Sequence, residues 1–185
     1  KPPNSNVVSC KWLFTKKYGA HKNIFFKARL VARGFTQIPG VDYHETFSPT
    51  LKLNSAHLIF AITTYLNLEL HHVDIETTFL HGDLKEEIYM EQPQLLKDES
   101  NPSYICKLHK PLYGLKQSPR QWYAKLHRFL LTNSFVQLQS EPTLYVQKKY
   151  QKFLFSVQAF SCKVHGYIAF IYFFLQVTCL DSFYK

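Results

Sequence analysis

Acidic side chains are scarce in this chain: 13 Asp and Glu stand against 22 Lys and Arg, for a net charge of +9. That excess points to a polyanionic partner such as nucleic acid or an anionic membrane surface, and a solvated basic surface fits the same composition. Six glycines and nine prolines are too few for a collagenous or low-complexity chain. The four cysteines, Cys10, Cys106, Cys162 and Cys179, include no pair at metal-ligand or redox spacing. Cys106 and His109 make half of a zinc pattern whose second half is missing. No disulfide framework is visible, so a reducing, cytoplasmic setting is the default expectation. No Walker-type loop, dinucleotide fingerprint or Gly-x-Ser-x-Gly turn occurs. The apolar run GYIAFIYFFLQV, residues 166–177, falls short of the ~18–20 residues a membrane helix needs. It reads as a strand-like piece or as unselected sequence, with a marginal membrane segment as the alternative. The opening KPPNSNVV has no signal-peptide core and starts at Lys1, which suggests a piece of a longer polypeptide.

What is present is enough for a core. Of 185 residues, 46% are hydrophobic and 19% charged, which excludes a wholly disordered chain. The composition shifts near residue 150. Ten of the 30 aromatic residues fall in residues 151–185, where Lys152, Lys163, Asp181 and Lys185 are the only charges. This tail has no clear period of 2 or 3.6.

The first 150 residues read as mixed α and β. Residues 8–15 and 24–35 are expected strands around a turn at Tyr18-Gly19-Ala20-His21. The resulting hairpin is a basic finger carrying Lys11, Lys16, Lys22, Lys27, Arg29 and Arg33. Asn54 or Ser55 is an expected cap for a helix to about residue 68, with Leu58, Ile59, Ile62, Tyr65 and Leu66 on one face. Residues 68–75 alternate as a strand does, and 88–91 and 104–108 are short strands flanking a charged loop. The clearest helix signal is residues 118–132. Ser118 is an expected N-cap, Pro119 suits the first turn, and Gln121 completes a capping box. Trp122, Leu126, Phe129 and Leu130 form its apolar stripe.

Candidate chemistry is thin when judged from the residues alone. Asp74, at the end of an alternating strand, suits a metal ligand or an ordinary turn cap. His71 and His72 are adjacent, so on a strand they face opposite ways and cannot share an ion. Gly114 before the last helix suits a simple turn.

Five blocks in order carry more weight: KWLFTKK, FKARLVARGFTQIPGVDYHETFSP, HHVDIETTFLHGDLKEEIYMEQP, ICKLHKPLYGLKQSPRQWYAKL and SEPTLY. Over about residues 7–147 they resemble the reverse transcriptase of copia-type LTR retrotransposons. The resemblance implies an α+β right-hand polymerase, incomplete, with truncated fingers and palm over residues 1–147, followed by an irregular, aberrant aromatic-rich tail over 148–185. It implies RNA or DNA template-primer and dNTPs as partners, and two Mg2+ ions held by palm aspartates. No organic cofactor or membrane attachment is implied, and oligomeric state is left open. A virus-like particle or the nucleus is a further setting for the parent element.

Residue by residue, Asp74 matches the first palm aspartate, a catalytic metal ligand. Phe79 matches the residue that crowds the sugar 2′ position. Lys27, Arg29 and Arg33 lie in the basic block expected to grip the triphosphate. Tyr113, Gly114, Lys116 and Gln117 match the block lining the nucleotide pocket, and Arg120 and Lys125 are expected to face solvent or nucleic-acid phosphate. The family's aromatic-x-Asp-Asp hairpin, due shortly after SEPTLYVQKK, is missing: after Glu141 the only acidic residue is Asp181. Glu141 also stands where the family usually has Asp, and Thr78 where it usually has Ala. A catalytically dead reverse transcriptase remnant is the expectation, with a non-catalytic nucleic-acid-binding or inert product as the alternative.

Overall fold

Alternation of long apolar and basic residues in two stretches, 10–18 and 24–32, drives the most extended element of the chain; the expected turn residues 19–21 lie outside the described residues. In the computed structural model, which describes residues 2, 5–18, 23–67, 75–149, 152–157, 162–164 and 167–169, β1 is the short strand Val7–Val8. The long strands β2 (Cys10–Tyr18) and β3 (Ile24–Ala32) pair antiparallel from Cys10 opposite Ala32 to Tyr18 opposite Ile24. The expected hairpin is therefore present, shifted relative to the expected strands. The first strand runs on to Tyr18 and the second stops at Ala32. It stops because Arg33 leaves extended geometry (φ −87°, ψ 81°) and Gly34–Thr36 turns as a 3-10 helix.

The register sorts side chains by parity, since neighbours along a strand face opposite ways. Trp12, Phe14, Lys16, Tyr18, Ile24, Phe26, Ala28 and Leu30 share one face. Lys11, Leu13, Thr15, Lys17, Phe25, Lys27, Arg29 and Val31 share the other. One face is thus aromatic and the other basic.

The chain divides into two compact units, Lys1–Phe47 with Thr77–Lys125, and Ser48–Glu76 with Leu126–Lys185. The first unit holds the hairpin and a small sheet. In it β4 (Tyr89–Glu91) lies between β1, parallel, and β5 (Ile105–Lys107), antiparallel. Both expected short strands are confirmed in β4 and β5. Val8, Ala32, Ile88 and Leu115 form its core, with Leu84, Leu108 and Leu112 packed against them.

The second unit contains α1 (Leu53–Tyr65) and the antiparallel sheet β6 (Val136–Gln137), β7 (Leu144–Lys149) and β8 (Lys152–Val157). Farther along, β9 (Cys162–Val164) pairs antiparallel with β10 (Tyr167–Ala169). Helix α1 corrects two expectations. Lys52 occupies the cap position with no side-chain cap bond, Asn54 and Ser55 lie inside the first turn, and Ser55 donates its hydroxyl to Glu141 Oε2 at 2.7 Å. The buried face is Ile59 and Thr63, while Leu58, Tyr65 and Leu66 are exposed. Ile59 meets Leu144, flanked by Leu51 and Leu138. The buried Glu141 carboxylate also accepts the Thr143 hydroxyl at 2.9 Å. The strand expected over 68–75 lies outside the described residues except for Ile75, which is irregular.

Helix α2 (Ser118–Thr132) has the expected bounds, and the unit division falls within it. Its entry differs from a simple capping box. The Ser118 hydroxyl donates to the Leu112 carbonyl at 2.6 Å, and Gln121 N–H bonds the carbonyl of Gln117 at 3.0 Å. Trp122, Leu126 and Leu130 are buried as the stripe requires, but Phe129 is exposed. The helix closes with Ser134 in the left-handed region (φ 64°) and Phe135 N–H on the Leu130 carbonyl. Glycine is the usual residue at such a terminus, because a Cβ there is strained by about 1–2 kcal/mol. Ser134→Gly is expected to raise stability by about 0.5–1 kcal/mol in urea denaturation.

Candidate functional site

The expected site residues other than Asp74 all fall in the first unit, so their arrangement is described within it. Asp74 lies outside the described residues. Among the described residues no three His, Cys, Asp or Glu side chains converge as a metal site.

The basic block occupies β3 and the bend after it. Lys27 is exposed and Arg29 half-buried on the basic face, beside exposed Lys11 and Lys17 from β2. Among the described residues none of these four cations forms an ion pair. Arg33 is exposed just past the strand. Its N–H bonds the Ser9 carbonyl at 2.8 Å, and its carbonyl accepts the Thr36 N–H at 2.9 Å and the Thr36 hydroxyl at 2.8 Å.

The segment Tyr113 to Gln117 docks against this end of the hairpin. The Tyr113 carbonyl accepts the Ala32 N–H at 2.8 Å. Gly114 follows at φ +93°, and a Cβ there would run into the Ala32 carbonyl oxygen and lie 2.7 Å from Val31 Cγ1. A Cβ on Gly34 would in turn strike the Gly114 carbonyl oxygen. Two glycines thus allow three backbone stretches to touch where a side chain cannot fit. Val31 belongs to the basic face, so the docked segment abuts the same face that carries Arg29 and Lys27.

A buried polar network fixes the segment further. Gln117 is fully buried. Its Nε2 donates to the Asp42 carbonyl at 2.8 Å, and its Oε1 accepts Gln37 Nε2 at 3.0 Å. Gln37 Oε1 accepts the Lys116 N–H at 2.8 Å. The Asp42 carboxylate, also buried, accepts the Ile38 N–H at 2.7 Å and the Asn6 amide at 2.6 Å. Outside this network, the Lys116 ammonium reaches solvent. It donates to the Tyr43 hydroxyl at 2.9 Å and sits 4.7 Å from that ring's centroid, a cation–π geometry. Sequence reasoning assigned no role to Asn6, Gly34, Gln37, Asp42 or Tyr43. The only available signal was the segment GFTQIPGVDY as a whole.

Phe79 lies in the 3-10 turn Thr78–His81, entered through Thr77 in the left-handed region (φ 49°). Phe79 is buried, with its ring tilted against Tyr113 at 4.8 Å between centroids. Arg120 pairs with Glu45 at 2.7 Å and donates to the Phe47 carbonyl at 3.2 Å. Lys125 reaches Asp83 at 3.2 Å, and Lys110 reaches the same carboxylate at 3.5 Å. The hydrogen bond from Lys125 leads in holding the Asp83 carboxyl below the usual carboxylate range, with Lys110 assisting. A depressed carboxyl stabilises the fold above its ordinary pKa, and that contribution fades as pH falls through the folded value. These groups are exposed, so the effect is small.

Two outcomes test the docking. Gly114→Ala is expected to lower stability by about 3 kcal/mol or more, since it combines a backbone clash with a strained φ. Gln117→Ala is expected to cost about 2 kcal/mol by stranding buried amide and carbonyl groups. In a double-mutant cycle with Gln37→Ala, the pair is expected to cost less than the two single changes together, by about 1 kcal/mol. Additive costs would show that the two amides are not coupled.

Comparison with known proteins agrees with these blocks. The family model for reverse transcriptase (RNA-dependent DNA polymerase) matches residues 1–159. The chain is 44% identical over 151 residues to the retrovirus-related Pol polyprotein from transposon RE1 of Arabidopsis thaliana, covering 80% of this chain and 10% of that protein. It is 44% identical over 148 residues to the counterpart from transposon TNT 1-94 of Nicotiana tabacum, covering 80% of this chain and 11% of that protein. It is 34% identical over 132 residues to the Transposon Ty1-ER2 Gag-Pol polyprotein of Saccharomyces cerevisiae, covering 68% of this chain and 7% of that protein. The chain therefore spans about a tenth of the length of the curated relatives it matches. No solved structure matches it. With the matched model spanning the hairpin, the docked glycine segment and α2 alike, the chain belongs to the reverse transcriptase (RNA-dependent DNA polymerase) family, in the copia-type Pol polyprotein branch.

Proposed function

We propose that this chain is a reverse transcriptase domain that binds nucleic acid on the basic face of its hairpin and does not polymerise. The observation that carries the binding is the segregation of Lys11, Lys17, Lys27 and Arg29 on one face of the β2–β3 ribbon, none ion-paired among the described residues. Unpaired cations in a row gain entropy by releasing counterions from a phosphate backbone. Arg120 and Lys125 each already hold a carboxylate, Glu45 and Asp83, so a phosphate would have to compete for them. In this reading Lys27, Arg29 and Arg33 face the triphosphate or template phosphates, and Lys116 with Tyr113, Gly114 and Gln117 borders the nucleotide side. Phe79 is the residue that would crowd a ribose 2′-hydroxyl.

The inactivity rests on the carboxylates. Two divalent ions ~3.5–4 Å apart need several anionic ligands. Asp74 is the one palm aspartate that the family pattern identifies here, and the residues following SEPTLYVQKK bring no Asp-Asp pair. The donor set does not fit a two-Mg2+ site, so no metal-dependent step is assigned to this chain. The family match runs through β8 to residue 159, so the departure lies in which side chains follow that strand. We divide the chain into fingers and partial palm, residues 1–147, and an aromatic-rich tail, 148–185, whose first twelve residues still fall within the family match, with the cytoplasm as its setting.

Two assays test this on the same preparation. Filter binding of an RNA–DNA primer-template is expected to weaken steeply with salt. Lys27→Ala and Arg29→Ala should each lower the log–log salt slope by about 0.7–0.9. A flat baseline would leave an inert product. Primer extension with dNTPs and magnesium is expected to match an Asp74→Ala control, and extension above that control would refute inactivity.

A further inference from the structure

The hairpin's second face takes no part in the proposed binding. Phe26 is 83% exposed, Tyr18 73%, Phe14 66% and Ile24 47%, all on the face opposite Lys11, Lys17, Lys27 and Arg29. Trp12 extends the patch, its ring stacked on Phe14 at 6.3 Å and 20°. A contiguous apolar surface of this kind on a two-stranded ribbon marks an association site.

We propose that this aromatic face is a self-association surface, through which a second copy of the chain docks ribbon against ribbon. The charge distribution selects that occupant. A single strand of nucleic acid stacking here would need cations on the same face for its phosphates. Among the described residues of the two paired strands only Lys16 lies there, and its ammonium is already 5.2 Å from the Tyr18 ring centroid. Face-to-face docking of two copies instead leaves the other four cations pointing outward into solvent. Aromatic side chains offer about 150–250 Å² each, so the patch supplies about 500 Å² per copy. About 1,000 Å² over both copies is the lower end for a specific interface, which fits a weak, reversible dimer. The two Lys16 side chains approach each other across such an interface, and their repulsion is screened by salt.

The test is sedimentation velocity of the full chain at micromolar concentrations in ~0.1 and ~0.5 M NaCl, with circular dichroism confirming the fold. A monomer–dimer equilibrium that tightens with salt is expected. Phe26→Asp and Phe14→Ser should each weaken it at least about tenfold. Phe25→Ser, an equal apolar loss on the basic face, should leave it unchanged, and Lys16→Ala should tighten it. A monomer throughout, association that weakens with salt, or equal loss in Phe25→Ser overturns the proposal. So does a monomeric chain whose affinity for oligo(dT) falls in Phe26→Asp, since that assigns the face to nucleobases. If both phenylalanine variants unfold, the salt and Lys16→Ala arms decide alone. The salt sign is opposite to that of primer-template binding, so the two readings fail separately.

Discussion

The close approach of three backbone stretches at Gly34, Gly114 and Ala32 is the constraint on which the first unit depends. The Ala32 N–H meets the Tyr113 carbonyl, and no Cβ can fit at either glycine without striking a neighbouring carbonyl oxygen. That contact ends β3, starts the turn at Gly34–Thr36 and brings the segment before α2 onto the hairpin's basic face. Gln37, Asp42 and Gln117 then fill the buried space behind it with hydrogen bonds. Each such bond contributes only about 1 kcal/mol net, but each would cost more if left half-made. The network therefore enforces one arrangement more than it adds stability.

The same register that closes the hairpin also separates its chemistry. Strand periodicity of two puts four cations on one face and most of the aromatics on the other. A one-residue slip would exchange the faces, so the docked glycine segment, by fixing where β3 ends, also fixes which face abuts it. Charge location in the hairpin follows from the local order of residues along each strand together with the register that aligns the two strands.

Local signals in the sequence were legible, and long-range ones were not. Alternation around KWLFTKK and IFFKARLVA gave the hairpin, and Pro119 with the Trp122, Leu126 and Leu130 spacing gave α2. The end of β3 at Ala32 is not visible locally because it lies against Gly114, some 80 positions away from Gly34. Ser55 and Ser118 looked like caps because short hydroxyl side chains often cap. Ser55 instead bonds Glu141, 86 positions on, and Ser118 bonds the Leu112 carbonyl, six positions before it. The Gln37–Gln117 pair carries no periodic or compositional mark, since any two amides could be partners. Phe129 sits on the apolar stripe by spacing yet is exposed, which spacing alone cannot foresee. The family's blocks marked a reverse transcriptase domain of mixed α and β structure, and Asp74 stays at the level of sequence correspondence.

The most direct measurement is a lysine footprint. The chain is labelled with an amine-reactive reagent with and without an RNA–DNA primer-template, and modification is read by mass spectrometry. Protection of Lys11, Lys17 and Lys27 on adding nucleic acid, with the reactivity of Lys16 unchanged, is the expected result, because the first three share the basic face and Lys16 does not. Protection of Lys16 with the other three left reactive would contradict the assignment of nucleic acid to that face.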